Sequence, residues 1–279
     1  MKILVTGGSG YLGTHVRRFF SADDFSRRSG LDLLSNKAVN AVAGYDAVIH
    51  LAAHLDKSPD AAELCFRTNA EATANVLKHL RPGTIFIYAS TKDVYGANAD
   101  VYGEVPETCA TDYSEQTALE WSKLIGERYT EYYARRQNVR ACIFRLSNVY
   151  ARPSEGNEHG FVTHYVESVK RGWPIRLPLG GQPVRDILHV DDFSRACQAF
   201  IDSSQRFGLY NLGGGRQNAI SLLDLVNTIG GMIQLDPQIV SDDTSHPVPV
   251  NYVSDLRRVR EQLGWQPEIG IEEGLRSLL

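Results

Sequence analysis

Paired cysteines are missing from this chain. Cys65, Cys109, Cys142 and Cys197 are scattered, with no C-x-x-C pair and no histidine-rich spacing, so neither a disulfide scaffold nor a bound metal is expected. Free thiols suit a reducing compartment, and a cytoplasmic location is expected. An excess of positive charge is missing too: 29 Lys and Arg face 33 Asp and Glu, a net charge of −4, which argues against a general nucleic-acid surface. Long apolar runs do not occur. The stretch 46–53, Asp-Ala-Val-Ile-His-Leu-Ala-Ala, is far too short to cross a bilayer, and no leader or cleavage site precedes Lys2, so no membrane association and no secretory signal are expected. Repeats and low-complexity tracts are lacking. What remains is 279 residues, 43% hydrophobic and 22% charged, the composition of a globular protein with one large domain or a large domain and a smaller lobe.

The chain alternates short apolar runs with helical spacing. Strands are predicted at 3–5, 47–51, 84–88 and 140–145, and helices at 11–20, about 61–80 and about 114–136. Apolar strands alternating with helices predict an α/β fold, a Rossmann-type doubly wound parallel sheet covered on both faces. After Tyr150, Pro153, Gly156, Gly160, Pro174, Pro178, Gly180, Gly181 and Pro183 break the periodicity, and a second, irregular lobe is expected to begin there.

Between the first strand and helix lies Thr6-Gly7-Gly8-Ser9-Gly10-Tyr11-Leu12-Gly13. Gly7, Gly10 and Gly13 are spaced for a sharp turn, a close backbone approach to a pyrophosphate and tight helix packing, with the helix start offering free N–H groups to the anion. The loop predicts a nicotinamide dinucleotide site that also uses the backbone of Tyr11 and Leu12. An acidic residue is expected at the end of the second strand if the ribose 2′-hydroxyl of NAD is bound. The sequence there is Asp24-Phe25-Ser26-Arg27-Arg28-Ser29. Ser26, Arg27 and Arg28 suit the extra phosphate of NADP, because guanidinium groups pair bidentately with phosphate. NADP(H) is favoured over NAD(H), with a solvated basic turn as the alternative, since Asp23 and Asp24 are close by.

These residues, with others along nearly the whole chain, resemble the extended short-chain dehydrogenase/reductase family of nucleotide-sugar epimerases, dehydratases and ketoreductases. The resemblance rests on the glycine loop, Gly30-Leu31-Asp32-Leu33, Leu51-Ala52-Ala53-His54, Arg67-Thr68-Asn69-Ala70, Ser90-Thr91-Lys92-Asp93-Val94-Tyr95-Gly96 and Arg145-Leu146-Ser147-Asn148-Val149-Tyr150. It continues through Arg185-Asp186-Ile187-Leu188-His189-Val190-Asp191-Asp192 and Leu263-Gly264-Trp265-Gln266-Pro267. It implies cofactor contacts from Asp32, Leu33, Leu51, Ala52, Ala53, Asn69 and Lys123, and substrate contacts from Thr91, Asn148 and Arg185. For Arg185 the alternative is an ion pair with Asp186. It also implies a discontinuous substrate lobe: 1–150 and about 186–206 form the dinucleotide-binding domain, and about 151–185 and 207–279 the smaller lobe. A homodimer is implied through the helix carrying Lys123, where Ala118, Leu119, Ile125, Tyr129, Tyr132 and Tyr133 supply apolar surface.

In that family a hydride passes between a sugar carbon and the nicotinamide while a tyrosine exchanges the hydroxyl proton. A lysine four residues later, one helical turn on, holds the ribose and lowers the phenol's pKa. Lys123 matches the lysine and Thr91 the hydroxyl that hydrogen-bonds the reacting oxygen. Four residues before Lys123, however, stands Leu119, which carries no proton. Tyr113 is ten residues from Lys123, nearly three turns, and Tyr95 belongs to a different motif. One candidate replacement is Lys92, tuned by Asp93, against the alternative of a solvent-facing Lys–Asp pair; the other proton source is Thr91 through water. At His246 the family usually places an arginine against the substrate diphosphate. His50 and His54 are read as packed or cofactor-side residues. The leading reading is an NADP(H)-dependent ketoreductase of a nucleotide-activated sugar in deoxysugar or polysaccharide synthesis, with non-standard acid/base chemistry. The alternatives are an NAD-retaining epimerase or dehydratase, and a catalytically silent NAD(P)-binding protein.

Overall fold

A computed structural model of the chain describes residues 1–153, 160–242 and 247–279. Six strands form one parallel sheet: β1 (Ile3–Thr6), β2 (Asp23–Phe25), β3 (Ala47–His50), β4 (Ile85–Thr91), β5 (Arg140–Leu146) and, returning much later, a strand at Phe207–Leu212. Apart from the short β2, the first five are almost wholly buried, as expected for a parallel sheet covered on both faces. One face is covered by α1 (Tyr11–Phe20) through Val16, and by a helix at Val190–Asp202 through Phe193, Ala196, Cys197 and Phe200. The other face carries α2 (Asn36–Val39), α3 (Ala62–Cys65), α4 (Ala72–Lys78) and α5 (Ala118–Gln137), with Val39, Ala72, Val76 and Leu77 in the core.

Two predicted helices differ in detail. The segment expected as one helix over 61–80 is divided by a π-helical turn, Phe66–Glu71, between α3 and α4. The helix expected from about 114 begins at Ala118. Thr117 caps it, accepting from Leu119 N at 3.3 Å, while Glu120 Oε2 accepts from Thr117 N at 2.7 Å, a reciprocal capping box.

Beyond β5 the chain builds a smaller lobe. β6 (Asn148–Tyr150), β8 (Val184–His189) and β10 (Ala219–Ser221) form a three-stranded sheet, and β7 (Ile175–Pro178) pairs with β11 (Ile239–Asp242). α6 (Phe161–Arg171), α8 (Leu222–Ile233) and α10 (Ile271–Arg276) close over them around Tyr150, Val166, Leu225 and Ile229. The lobe boundary expected at about 206/207 is corrected: β9, the strand Phe207–Leu212, pairs in parallel with β5 from Ala141↔Phe207 to Leu146↔Leu212 and is the edge of the main sheet. Arg140 explains the return. Its guanidinium donates to the carbonyls of Phe200, Ser203 and Gln205 at 3.2, 2.6 and 3.1 Å, closing the end of α7 (Val190–Asp202) and turning the chain back beside β5. α9 (Arg257–Leu263) and Trp265 likewise pack on the main core, Trp265 Nε1 donating to Asp192 O at 3.1 Å. All four cysteines are buried and free, and no helix among the described residues is long and apolar enough to cross a membrane.

Candidate cofactor and active site

The strand order β2-β1-β3-β4-β5-β9 reverses direction between β1 and β3. In an open parallel sheet, ligands bind beyond the carboxyl ends of the strands at such a point. A cleft of about 650 Å³ lies there.

Its floor is the glycine loop. Gly7 has φ +71, and a Cβ on it would fall 2.8 Å from Ala52 N; one on Gly13 would fall 2.1 Å from Gly7 O. Only hydrogen fits at either place, so the loop lies flat over α1, whose N-cap residue Gly10 offers no side-chain cap. The first-turn N–H groups therefore face the cleft, with the positive end of the helix dipole behind them. This cradle fits a dinucleotide pyrophosphate. Gly7, Gly10, Tyr11, Leu12 and Gly13 line it, as do Leu51, Ala52 and Ala53 from the loop after β3. The Tyr11 side chain also joins the two lobes, since its hydroxyl donates to Ala151 O at 2.8 Å and so ties the glycine loop to the smaller one.

At one end of the cleft stand Ser26, Arg27, Arg28, Asp32 and Leu33. Ser26 and Ser29 cap one another across a single 3-10 turn, Arg27–Ser29. Arg28 Nη1 donates to Ser9 O at 3.1 Å, fastening this turn to the glycine loop. Of the two nearby carboxylates, Asp24 stands directly behind Ser26 and Asp23 is bonded away from the cleft. Asp24 Oδ2 accepts from Ser26 Oγ at 2.9 Å and Asp23 Oδ2 from Tyr45 Oη at 2.9 Å, and neither residue lines the cleft. Asp32 Oδ1 accepts from Leu34 N at 2.9 Å, shaping the loop it stands on.

At the other end are Ala89, Ser90, Thr91, Lys123, Ser147 and Asn148. Lys123 reaches this place because α5 packs very closely on β4. A Cβ on Gly126 would fall 2.2 Å from the Tyr88 hydroxyl oxygen. One turn along, Glu127 pairs with Arg145 through two bonds of 2.9 and 2.7 Å and accepts from Ser90 Oγ at 2.6 Å, clamping α5 to β4 and β5. Lys123 Nζ donates to Ala89 O at 2.7 Å. Burial pulls its pKa down to about 8, against a partly offsetting pull from Glu127. His50 lies beneath, between Thr6 Oγ1 at 2.8 Å and Thr73 Oγ1 at 2.9 Å, and burial with the neighbouring Lys123 charge lowers its pKa to about 3. It is a packed residue.

Leu119, one turn before Lys123, does not line the cleft. It is 4% exposed and packs against Ala61, Cys65 and Ala118. Three expected site residues are also placed elsewhere. Lys92 is buried and ion-paired with Asp93, its Nζ 5.2 Å from the Tyr252 ring centre, and it is not among the cleft-lining residues. Its pair is not the solvent-facing one. Lys57 joins the cluster, reaching Asp93 and Glu120 at 2.9 Å each. Burial raises the Asp93 carboxyl, but the two lysines overrule it and hold it well below the ordinary range. Asn69 donates to His54 O at 2.9 Å and accepts from His54 N at 2.7 Å, bracing the cleft loop from behind, while its neighbour Thr68 lines the cleft. Arg185 donates to the carbonyls of Val184, Val250 and Pro249 at 2.7, 2.7 and 3.0 Å, fastening a segment of the smaller lobe rather than lining the cleft. It forms no pair with Asp186, which instead accepts from Gly215 N at 3.1 Å and Ser254 N at 3.0 Å. His246 lies outside the described residues.

Thr68, Ser90 and Ser147 also line the cleft and were not singled out in the sequence. Each lies within a quoted motif, beside a residue that was assigned a contact, and that neighbourhood is the signal that could have found it.

Residues 3–213 match the NAD dependent epimerase/dehydratase family. Among curated proteins, the chain is 25% identical to CDP-paratose 2-epimerase of Salmonella typhi, covering 100% of this chain and 98% of that one. It is 29% identical to dTDP-glucose 4,6-dehydratase of Mycobacterium tuberculosis (strain CDC 1551 / Oshkosh), covering 100% and 92%. A solved structure of UDP-glucose 4-epimerase with UDP-glucose from Thermotoga maritima superposes with a TM-score of 0.85 at 24% identity, over 100% of this chain and 97% of that one.

Proposed function

The chain belongs to the NAD dependent epimerase/dehydratase family, and from that membership we propose an NADP(H)-dependent oxidoreductase acting on a nucleotide-activated sugar, a ketoreductase of deoxysugar or polysaccharide synthesis. The observation that carries the NADP preference is the adenosine end of the cleft. Ser26, Arg27 and Arg28 line it, while Asp23 is bonded to Tyr45, Asp24 stands behind Ser26 and accepts from its hydroxyl, and neither carboxylate lines the cleft. A phosphate there meets donors and positive charge; a bare hydroxyl meets no carboxylate.

A bound nicotinamide supplies a hydride to the substrate's carbonyl carbon. Thr91, at the inner end of the cleft, hydrogen-bonds the reacting oxygen, Lys123 stands beside it on the cleft wall, and Asn148 contacts the substrate. NADP use favours net reduction, because epimerases and dehydratases return the hydride they take. The four reduced cysteines suit the cytoplasm. Tyr129 and Tyr132, 38% and 54% exposed on α5, are the surface through which a homodimer forms.

The test is purified protein with NADPH or NADH and a panel of 4-keto sugar nucleotides, followed by nicotinamide absorbance. Oxidation of NADPH in preference to NADH is expected. The double variant Arg27→Glu, Arg28→Glu loses NADPH affinity by roughly tenfold or more, the equivalent of one charge-assisted hydrogen bond of ~1.5–3 kcal/mol. The names of the relatives favour a second reading, an NAD-retaining epimerase or dehydratase. That protein would carry NAD through purification and interconvert or dehydrate sugar nucleotides with no net oxidation of NADPH. Cofactor binding with neither activity would leave a silent binding protein.

A further inference from the structure

We propose that Lys123 is itself the acid/base group of this site, giving the reacting oxygen its proton from the cleft wall where no tyrosine is available. The inference rests on the oxidoreductase reading above and goes beyond it in assigning the proton.

Among the described residues, the geometry leaves one titratable group at the inner end of the cleft. Of Ala89, Ser90, Thr91, Lys123, Ser147 and Asn148, only Lys123 exchanges a proton near neutral pH. The phenols are placed elsewhere. Tyr11 is bonded to Ala151, Tyr88 lies under α5 with its hydroxyl 3.4 Å from the carbonyl oxygens of Asn69 and Lys123, Tyr95 donates to Asn211 Oδ1 at 2.6 Å, and Tyr113 is 74% exposed outside the cleft. The Lys123 ammonium has three protons and one hydrogen bond, to Ala89 O, so two donors remain. No carboxylate neutralises it, because Glu127 on its own helix is committed to Arg145 and Ser90. The other groups facing it are His50 from β3, kept neutral, and the Tyr88 ring from β4, 5.2 Å away. Burial among these groups brings the ammonium to about 8, where it both gives and takes protons near neutrality.

A bound reduced nicotinamide would supply the hydride for the new C–H bond, the carbonyl π pair moving onto oxygen. An N–H bond of Lys123 breaks as the O–H bond forms, and the nitrogen keeps its electron pair as a neutral amine. Solvent reprotonates the amine. No oxidant or reductant beyond NADPH is needed.

Two measurements test this on the full chain. Competitive acetylation of the cofactor-free protein with acetic anhydride, read by peptide mass spectrometry, is expected to titrate Lys123 near pH 8; titration together with the surface lysines overturns the proposal. In turnover with a 4-keto sugar nucleotide, wild-type kcat is expected to fall as pH rises through about 8. Lys123→Met and Lys123→Arg are expected to lose about 10²–10⁴ in kcat, with NADPH affinity by fluorescence changed only severalfold. A lysine that merely holds the ribose would show the reverse: affinity lost, kcat and its pH profile kept, and that result overturns the proposal. A wild-type protein that binds NADPH but reduces nothing in the panel overturns the oxidoreductase reading, and the proton assignment with it. Turnover with an unaltered Lys123→Met profile overturns the proton assignment alone.

Discussion

Replacing Leu119 by tyrosine places a phenol one helical turn before Lys123, in a packed position. Leu119 is 4% exposed and seated on Ala61, Cys65 and Ala118. Cys65 is itself buried, with Sγ 3.3 Å from Asp56 O, so this floor is held by the loop that carries Lys57. A phenol at 119 is larger than the leucine and must either push that loop outward or swing away from its helix face. Overpacking of this kind costs ~1–3 kcal/mol. A hydroxyl left among Ala61, Cys65 and Ala118 without a partner adds ~1–3 kcal/mol. Leu119→Tyr is therefore expected to lose about 2–6 kcal/mol, a large share of the ~5–15 kcal/mol of an ordinary domain. Leu119→Ala gives the scale of the packing alone, at ~2–4 kcal/mol. Urea denaturation of the three proteins checks both figures, and turnover with NADPH checks the consequence, which is no gain in rate. A Leu119→Tyr protein as stable as wild type and faster would show that position 119 opens onto the cleft, and would refute the reasoning.

Glu127→Gln leaves the Arg145 guanidinium buried without its counter-charge, at an expected cost of ~3–5 kcal/mol by thermal denaturation; a loss below ~1 kcal/mol would mean that this clamp does not hold α5 on the sheet. Gly13→Ala brings a methyl 2.1 Å from Gly7 O, and NADPH affinity by fluorescence is expected to fall about tenfold or more, the equivalent of ~1.4 kcal/mol. His50 is neutral in the folded chain down to about pH 3 but takes a proton near 6.5 when unfolded. Its contribution is thus complete above pH 6.5 and is lost as pH falls towards 3, at up to ~1.4 kcal/mol per pH unit. His50→Gln should flatten that part of the pH dependence of the urea midpoint, and an unchanged slope would assign it to other groups.

The parallel sheet, the helices on its two faces and the glycine loop were legible because each depends on local pattern. Apolar runs of strand length, helical spacing and glycines at turn positions act over a few residues. β9 was not legible. Phe207-Gly208-Leu209-Tyr210-Asn211-Leu212 is short, interrupted by glycine and set among lobe residues, and what brings it beside β5 is Arg140, far away in sequence. Nor could the sequence distinguish residues that face the cleft from those that brace it. Thr68 and Asn69 are neighbours, but only Thr68 lines the cleft. Arg185 was expected as a substrate contact from the resemblance, and it holds backbone carbonyls of a distant segment.

By itself, the sequence determined a dinucleotide cradle at Gly7, Gly10 and Gly13 and the lysine at position 123, since the spacing of small residues and the turn of a helix are properties of the local chain. It also determined that Leu119 has no proton to offer. Tertiary structure alone decided where Leu119 points, that Lys92 is drawn to Asp93 and the Tyr252 ring, and that Lys123 is buried without a carboxylate of its own. A side chain's direction, burial and proton affinity are set by what folds against it, and those neighbours come from β3, β4, β5 and the smaller lobe.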